Sequence, residues 1–222
     1  MNDLSDALAA PPRHLVVEGP IGVGKTSLAR RLAESFGSQL LLECAEENPF
    51  LERFYQRPRD AAFPTQMHFL MQRAEQLRRL NQQDLFEERH VADFLFEKDR
   101  MFAELTLRPA ELDLYDRIYR ELAPDLPGPD MVVYLQAPVE VLMERIRRRG
   151  IPHEQGISAD YLQRLSDAYV TFFYHYEAAP LLIVNASVID LVDNDADYLQ
   201  LLERLQALQS GRHFFNPAPI EL

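Results

Sequence analysis

Three kinds of residue are scarce in this sequence, and each scarcity limits what the protein can be. Its single cysteine, Cys44, excludes an intramolecular disulfide and a zinc site built from several thiolates. Basic side chains number 23 against 35 acidic ones, which gives a formal net charge of −12. Non-specific binding of nucleic acid needs a basic surface, so we expect no nucleic-acid partner. Lysine is the scarcest basic residue, with Lys25 and Lys98 as its two occurrences.

Long apolar runs are absent as well. Nothing approaches the ~20 apolar residues that a membrane span needs, and the best runs, 40–42 and 181–184, have the length of buried strands. The first six residues are acidic where a signal peptide would be basic. We therefore expect no membrane partner and a reducing, cytoplasmic location. With 222 residues, 47% of them hydrophobic, the chain suits one folded domain.

Five short apolar segments alternate with helical patterns along the chain. This alternation is typical of βαβ units and predicts an α/β fold, a parallel sheet of five strands with helices on both faces. Gly37 is a residue type that ends helices, and Ser158 is one that begins them. We expect an irregular N-terminal arm over 1–13 and a tail over 211–222. The predicted strands are His14–Glu18, Leu40–Leu42, His90–Ala92, Met131–Leu135 and Leu181–Val184.

The segment from Gly19 to Thr26 fits the phosphate-binding pattern G-x-x-x-x-G-K-[ST] without a mismatch. A predicted strand enters it and a predicted helix leaves it, which is the context that the motif requires. Its glycines let backbone N–H groups turn inwards around a phosphate, next to the positive end of a helix dipole. We expect Lys25 to reach the β- and γ-phosphates of ATP and Thr26 to bind Mg²⁺. The predicted nucleotide-binding residues are Gly19, Pro20, Ile21, Gly22, Val23, Gly24, Lys25, Thr26 and Ser27.

The loop by itself does not identify the phosphate acceptor. The Asn-Lys-x-Asp motif of GTP-binding switches is absent, because neither lysine follows an asparagine. A motor or transport ATPase would be larger or would carry further motifs. A small-molecule kinase fits the length better.

Further motifs follow in a fixed order, and together with the loop they resemble the deoxynucleoside kinase family, especially its bacterial deoxyadenosine/deoxyguanosine kinase branch. The resemblance runs from about Leu15 to Leu208. It implies a P-loop kinase fold and transfer of the γ-phosphoryl group of ATP to the 5′-hydroxyl of a deoxyribonucleoside, in nucleotide salvage. It also implies Mg²⁺, a homodimer and, because that branch is mostly of this type, a purine substrate. The motifs are Glu43–Leu51, Gln66 with Arg73, Asp93–Phe94, Lys98–Ala103, Tyr134–Leu135, Arg149–Gly150 and Glu154–Ile157.

The resemblance also implies roles on the acceptor side. Glu43 matches the family's general base, and a carboxylate beyond a strand end could accept the proton of the attacking hydroxyl. Gln66 and Arg73 lie two helical turns apart on one face, and the family reads the base with them, the arginine being braced by an aspartate. Taken alone, Gln66 also fits an exposed helix position. The other implied substrate residues are Tyr55 and Glu154 at the sugar 3′-hydroxyl, and Phe63 and Phe102 beside the base, where two core phenylalanines are the alternative.

Asp93, at the end of the third predicted strand, could bind Mg²⁺ directly or through water and lie close to the substrate. Here the chain departs from better-known members of the family, whose strand ends in Asp/Glu-Arg-Ser where this chain has Asp93–Leu95. Lys98 either compensates for the missing arginine from the next helix or is an ordinary surface lysine. Asp99 is a candidate partner of Arg73, with an alignment offset of one residue, and Asp93 is the other candidate.

An arginine-rich segment follows the fourth predicted strand, and its position resembles a lid over the phosphates, at about 145–157. Guanidinium groups bind phosphate oxygens and neutralise charge in the transition state. Arg145 and Arg149 share a helix face and match lid arginines of the family, so we predict a catalytic role for both. We expect Arg147 or Arg148 to face solvent.

Two other functions remain open at this stage. A nucleoside monophosphate kinase, such as a thymidylate kinase, needs extra cations around the acceptor phosphate. The segment 43–60 has three arginines against five acidic residues, so this alternative ranks second. The other alternative is a non-catalytic nucleotide-binding regulatory module. Its one supporting feature is that Asp93–Phe94 departs from the Asp/Glu-Arg-Ser pattern.

Overall fold

The computed structural model describes residues 12–83, 89–123, 126–189, 191 and 194–216. Most of the predicted arm and the end of the predicted tail lie outside these residues. The helices described are α1 (Lys25–Phe36), α2 (Leu51–Gln56), α3 (Pro58–Gln83), α4 (Lys98–Thr106), α5 (Pro109–Leu122), α6 (Val139–Arg149), α7 (Ala159–Tyr174) and α8 (Asp195–Ala207), with 3-10 turns at Ala45–Glu47 and Pro152–Gly156.

The strands described form one parallel sheet flanked by helices, in the order β2-β3-β1-β4-β5-β6. The sheet has six strands, so the prediction of five was wrong by one. The sixth lies in the predicted tail, where Arg212 pairs in register with Leu181 of β5. Three of its four residues are exposed, so no apolar pattern marks it in the sequence. The strands are β1 (His14–Glu18), β2 (Gln39–Leu41), β3 (His90–Ala92), β4 (Met131–Gln136), β5 (Leu181–Asn185) and β6 (Arg212–Phe215).

Local chemistry explains why the predicted elements form. The inner strands are rich in Val, Leu and Ile, which suit a sheet that is covered on both faces, and four of the five residues of β1 are buried. Gly37 has φ +57° and its N–H donates to the carbonyls of Ala33 and Glu34 at the end of α1. The Ser158 hydroxyl accepts a hydrogen bond from the Tyr161 N–H at 3.1 Å at the start of α7. Both predicted helix limits are confirmed.

The strand order creates a crevice at one edge of the sheet. β1 lies between β3 and β4, and chain segments that leave neighbouring strands in different directions open a ligand site beyond the strands' carboxyl ends. The segments after β1, β2 and β3 meet there, while α4 and α7 pack together nearby through Phe102 and Tyr169, whose ring centroids are 5.9 Å apart. Across the described ranges, no helix is both long and apolar enough to cross a membrane.

Candidate active site

The phosphate loop joins β1 to α1, as the sequence predicted. Gly19 has φ +150°, and a Cβ there would lie 2.4 Å from the carbonyl oxygen of Leu135, so a side chain has no room. The loop then turns tightly, with the Val23 N–H donating to the carbonyl of Pro20 at 3.3 Å. α1 begins directly afterwards, so its positive end adjoins the loop.

Lys25 contacts the loop's own backbone. Its Nζ donates to the carbonyl of Gly19 at 2.8 Å and to that of Pro20 at 3.2 Å. Burial lowers the pKa of this ammonium, an effect opposed by the nearby carboxylates of Glu18 and Glu43. The charge therefore lies against the loop, within reach of a bound phosphate.

Asp93 connects the loop to the segment after β2. Its Oδ2 accepts a hydrogen bond from the Thr26 hydroxyl at 2.5 Å, and its Oδ1 accepts one from the Glu43 N–H at 2.7 Å. Burial raises the pKa of the Asp93 carboxyl, and these two hydrogen bonds act against that rise.

The pair Thr26 and Asp93 suits magnesium. Hydroxyl and carboxylate oxygens are hard donors, and Mg²⁺ often takes one or two protein ligands together with water and phosphate oxygens. Within the described residues, no group of three or more His, Cys, Asp or Glu could hold a metal ion. Two protein oxygen donors beside a phosphate-binding loop therefore fit Mg²⁺ better than they fit a metal that is bound by protein ligands alone.

Glu43 lies two residues beyond β2, next to the loop. Its Oε1 accepts a hydrogen bond from Arg73 Nε at 2.7 Å, and Lys98 Nζ lies 3.5 Å from the same oxygen. Burial acts to raise the pKa of this carboxyl, but Arg73, Lys98 and Lys25 outweigh it and hold the pKa at about 2. Glu43 is therefore an ionised carboxylate at neutral pH.

Arg73 pairs with two carboxylates at once. Its guanidinium forms ion pairs with Glu43 and with Asp99, and its Cζ lies 4.8 Å from the ring centroid of Phe69. The structure thus identifies Asp99, not Asp93, as the bracing aspartate. Burial raises the pKa of the Asp99 carboxyl to about 6, against the opposing charge of Arg73. The charges of these two carboxylates raise the pKa of Arg73 in spite of its burial.

Glu18, at the end of β1, is a charged residue of this site that the sequence motifs did not single out. Its fully buried carboxylate accepts hydrogen bonds from the N–H groups of Gly19 and Leu95, both at 2.8 Å, and from the Tyr169 hydroxyl at 2.9 Å. Lys98 Nζ lies 3.2 Å from its Oε2. A glutamate directly after three buried apolar residues of β1 was the available signal.

Lys98 is buried, with 1% of its surface exposed, so the surface-lysine alternative was wrong. Lys98 belongs to a group of five charged side chains that are joined by ion pairs, and we call this group the buried charge cluster. Its side chains come from β1, the segment after β2, α3 and α4. Its members are Glu18, Glu43, Arg73, Lys98 and Asp99.

The remaining acceptor-side residues surround this cluster. Gln66 is buried on α3, with 2% of its surface exposed. Phe63 and Phe102 are half-buried against the core. The Tyr55 ring stacks on His153 with centroids 6.1 Å apart, and burial raises the Tyr55 pKa, with Glu154 acting in the same direction. Their roles toward a substrate stay predictions.

The lid arginines occupy different positions. Arg145 donates to the carbonyl of Val23 at 3.2 Å and to that of Ala186 at 2.7 Å, so it joins the loop to the end of β5. Arg149 donates to Glu154 at 2.5 Å, and 44% of its side-chain surface is exposed. Arg147 and Arg148 are exposed, as predicted for at least one of them.

A cavity of about 600 Å³ opens beside the loop, between α1 and α6. Its wall combines apolar side chains with arginines, which suits a base and its phosphates. Four of the predicted nucleotide-binding residues contribute to this wall, namely Gly22, Val23, Gly24 and Ser27, while Ile21 is half-buried and packs on the core. The lining residues include Val23, Ser27, Leu28, Arg145, Arg148 and Arg149.

Comparison with known proteins agrees with this geometry. Residues 15–209 match the family model "Deoxynucleoside kinase". The chain is 37% identical over 199 residues to a deoxyguanosine kinase of Bacillus subtilis (strain 168), covering 87% of this chain and 96% of that protein. It is 30% identical over 195 residues to a deoxyadenosine kinase of Lactobacillus acidophilus, covering 81% and 88%.

A solved structure shows the same fold. Deoxyadenosine kinase from M. mycoides, with products dCMP and a flexible dCDP bound, superimposes with a TM-score of 0.76 at 22% identity, covering 87% of this chain and 99% of that one. The chain belongs to the deoxynucleoside kinase family and is an ATP-dependent phosphotransferase. The predicted family, fold and class of enzyme are confirmed, and the match favours them over a monophosphate kinase or a non-catalytic module.

Proposed function

We propose that this enzyme transfers the γ-phosphoryl group of ATP to the 5′-hydroxyl of a purine deoxyribonucleoside. The observation that carries this proposal is the ionised Glu43 carboxylate, joined through its own N–H and Asp93 to the phosphate loop. The printed names of the relatives, deoxyguanosine and deoxyadenosine kinase, support a purine. We further propose a homodimer, which the family resemblance implies, and a cytoplasmic location, as expected from the composition.

On the donor side, the loop N–H groups and Lys25 would bind the phosphates of ATP. Thr26 and Asp93 would hold Mg²⁺, whose chemistry is to neutralise charge on the β- and γ-phosphates. Arg149 is exposed and paired only with Glu154 among the described side chains, so it could turn to the transferred group. Arg145 is already bonded to two backbone carbonyls and would support the loop as well as the nucleotide.

On the acceptor side, Glu43 would orient the 5′-hydroxyl towards the γ-phosphorus and accept its proton. The new O–P bond would form as the bond between the γ-phosphorus and the bridging oxygen breaks, with ADP as the leaving group. A carboxyl with a pKa of about 2 is a weak base. Orientation is therefore its larger contribution, which suits a loose transition state that needs positioning and charge stabilisation. Gln66 would read the base, with Arg73 behind it. Tyr55 and Glu154 would hold the sugar 3′-hydroxyl, and Phe63 and Phe102 would enclose the base.

The test is transfer from ATP–Mg²⁺ to the four deoxynucleosides, their ribonucleoside counterparts and the four deoxynucleoside monophosphates. We expect transfer to deoxyadenosine or deoxyguanosine. Glu43→Gln should lower kcat by about a hundredfold, because the orientation of the hydroxyl is disturbed, and leave ATP binding, measured by calorimetry, unchanged. Glu46→Gln, which alters an exposed acid three residues further along, is the control and should behave as wild type. Transfer to monophosphates alone, or a fully active Glu43→Gln, would contradict the proposal.

A further inference from the structure

Lys98 has an unusual environment for a lysine. It is the first residue of α4, its side chain is 2% exposed, and it is one of two lysines in the sequence. Removing an ammonium group from water is unfavourable unless opposite charges surround it. Two carboxylates do so here, Glu18 Oε2 at 3.2 Å and Glu43 Oε1 at 3.5 Å.

These two carboxylates lie at different parts of the site. Glu18 accepts the N–H of Gly19, the first residue of the phosphate loop, so its position is tied to the place where the loop begins. Glu43 is the acceptor-side carboxylate at the end of the neighbouring chain segment. In the described part of the chain, Lys98 is the side chain that contacts both.

The contacts to Glu43 are all on one side of its carboxylate. Arg73 Nε and Nη2 and Lys98 Nζ approach Oε1. The hydrogen bonds and ion pairs of the described residues place no donor on Oε2, and the Glu43 side chain keeps 16% of its surface exposed. One oxygen is therefore fixed from two directions, while the other remains available to a hydroxyl.

We propose that Lys98 is a positioning residue, which bridges Glu18 and Glu43 and thereby sets the place of the Glu43 carboxylate relative to the phosphate loop. This inference rests on the role of Glu43 in the proposed function. If Arg73 alone held Oε1 from the α3 side, the Glu43 carboxylate could rotate about that contact, and Oε2 would then move. The contact from α4 restricts this rotation. A displacement of about 1 Å at a reacting group lowers a rate by roughly a hundredfold.

The test is Lys98→Met, which keeps the length of the side chain and removes its charge. We expect kcat with the best deoxynucleoside of the panel to fall about tenfold to a hundredfold, with the Kd of ATP unchanged. Arg100→Met, two residues further along α4, removes an exposed cation that pairs with Glu104 and Asp116. This control should keep the wild-type kcat.

The decisive measurement combines Lys98→Met with Glu43→Gln. If Lys98 acts through Glu43, the double variant has the same residual rate as Glu43→Gln alone. If Lys98 merely supports the fold, its substitution lowers the rate by the same factor in both backgrounds, which overturns the proposal. An unchanged kcat in Lys98→Met overturns it as well.

Loss of the buried cation could also prevent folding, which thermal melting would show. In that case the double variant Lys98→Met/Glu18→Gln replaces the single variant Lys98→Met, because it removes the cation together with one of the two carboxylates that face it. Its rate is then compared with and without Glu43→Gln in the same way. Wild-type protein that phosphorylates no deoxynucleoside would contradict the proposed function itself. An active wild type with additive variants would contradict the role of Lys98 alone.

Discussion

The phosphate loop and the buried charge cluster meet at the same edge of the sheet, but they are built from different parts of the chain. The loop is one continuous segment, Gly19–Thr26, and its shape follows from its own backbone angles. The cluster draws its side chains from β1, the segment after β2, α3 and α4. Two of them, Arg73 and Lys98, each contact two carboxylates.

This difference determines how each region responds to substitution. A change at a loop glycine alters backbone geometry and leaves the ion pairs of the buried charge cluster in place. A change in the cluster leaves an opposite charge buried without its partner, which is among the more destabilising events in a protein. We therefore expect cluster substitutions to lower the free energy of unfolding more than loop substitutions do.

The largest effect on stability is expected for Asp99→Asn, which removes one carboxylate from the buried Arg73. Breaking such a pair should lower the free energy of unfolding by about 3 kcal/mol, measured by urea denaturation. The control is Glu104→Gln on the same helix, whose ion pair with Arg100 is about half exposed. It should cost less than about 1 kcal/mol. Equal decreases in the free energy of unfolding for Asp99→Asn and Glu104→Gln would contradict the expectation that the buried ion pairs are worth more than the exposed ones.

A smaller effect is expected for Gly19→Ala in the loop. Its Cβ would lie 2.4 Å from the Leu135 carbonyl oxygen, so the backbone must shift. We expect a loss of about 1–3 kcal/mol and weaker ATP binding by calorimetry. Gly37→Ala is the matched control, since its φ is +57° but nothing lies within 4 Å of the added Cβ. That variant should lose about 1–2 kcal/mol and bind ATP normally. Normal ATP binding by Gly19→Ala would refute this account of the loop.

The smallest effect on stability is expected at the lid. Arg149→Gln removes a partly exposed ion pair with Glu154, so the free energy of unfolding should change by less than about 1 kcal/mol. The kcat should nevertheless fall about a hundredfold if Arg149 stabilises the transferred phosphoryl group. Arg147→Gln, exposed on the same helix, should alter neither quantity. Equal kcat values for the two variants would exclude the predicted role of Arg149.

Features set by neighbouring residues could be predicted from the sequence. The phosphate loop, the end of α1 at Gly37, the start of α7 at Ser158 and the first five strands of the chain each depend on a short stretch of chain, so their signals are local. β6 carries no such signal. Its residues are mostly exposed, and it forms because the backbone of β5 offers parallel hydrogen-bonding partners.

The partners of the charged residues could not be derived in this way. For Arg73, the sequence left both Asp93 and Asp99 as candidates, and the packing of α3 against α4 brings Asp99 to the guanidinium. Lys98 fitted either a surface or a site position. Glu18 belongs to none of the motifs that identified the site, although it accepts hydrogen bonds from four of its residues.

The amino-acid sequence by itself determined the fold class, the phosphate loop and the kind of reaction, because these depend on contiguous motifs and on the spacing of apolar residues. The tertiary structure alone decided which charges neutralise one another. Pairing of buried charges depends on distances between segments that are remote in the chain. Desolvation makes those distances matter, since a charge taken out of water is stable only beside its partner.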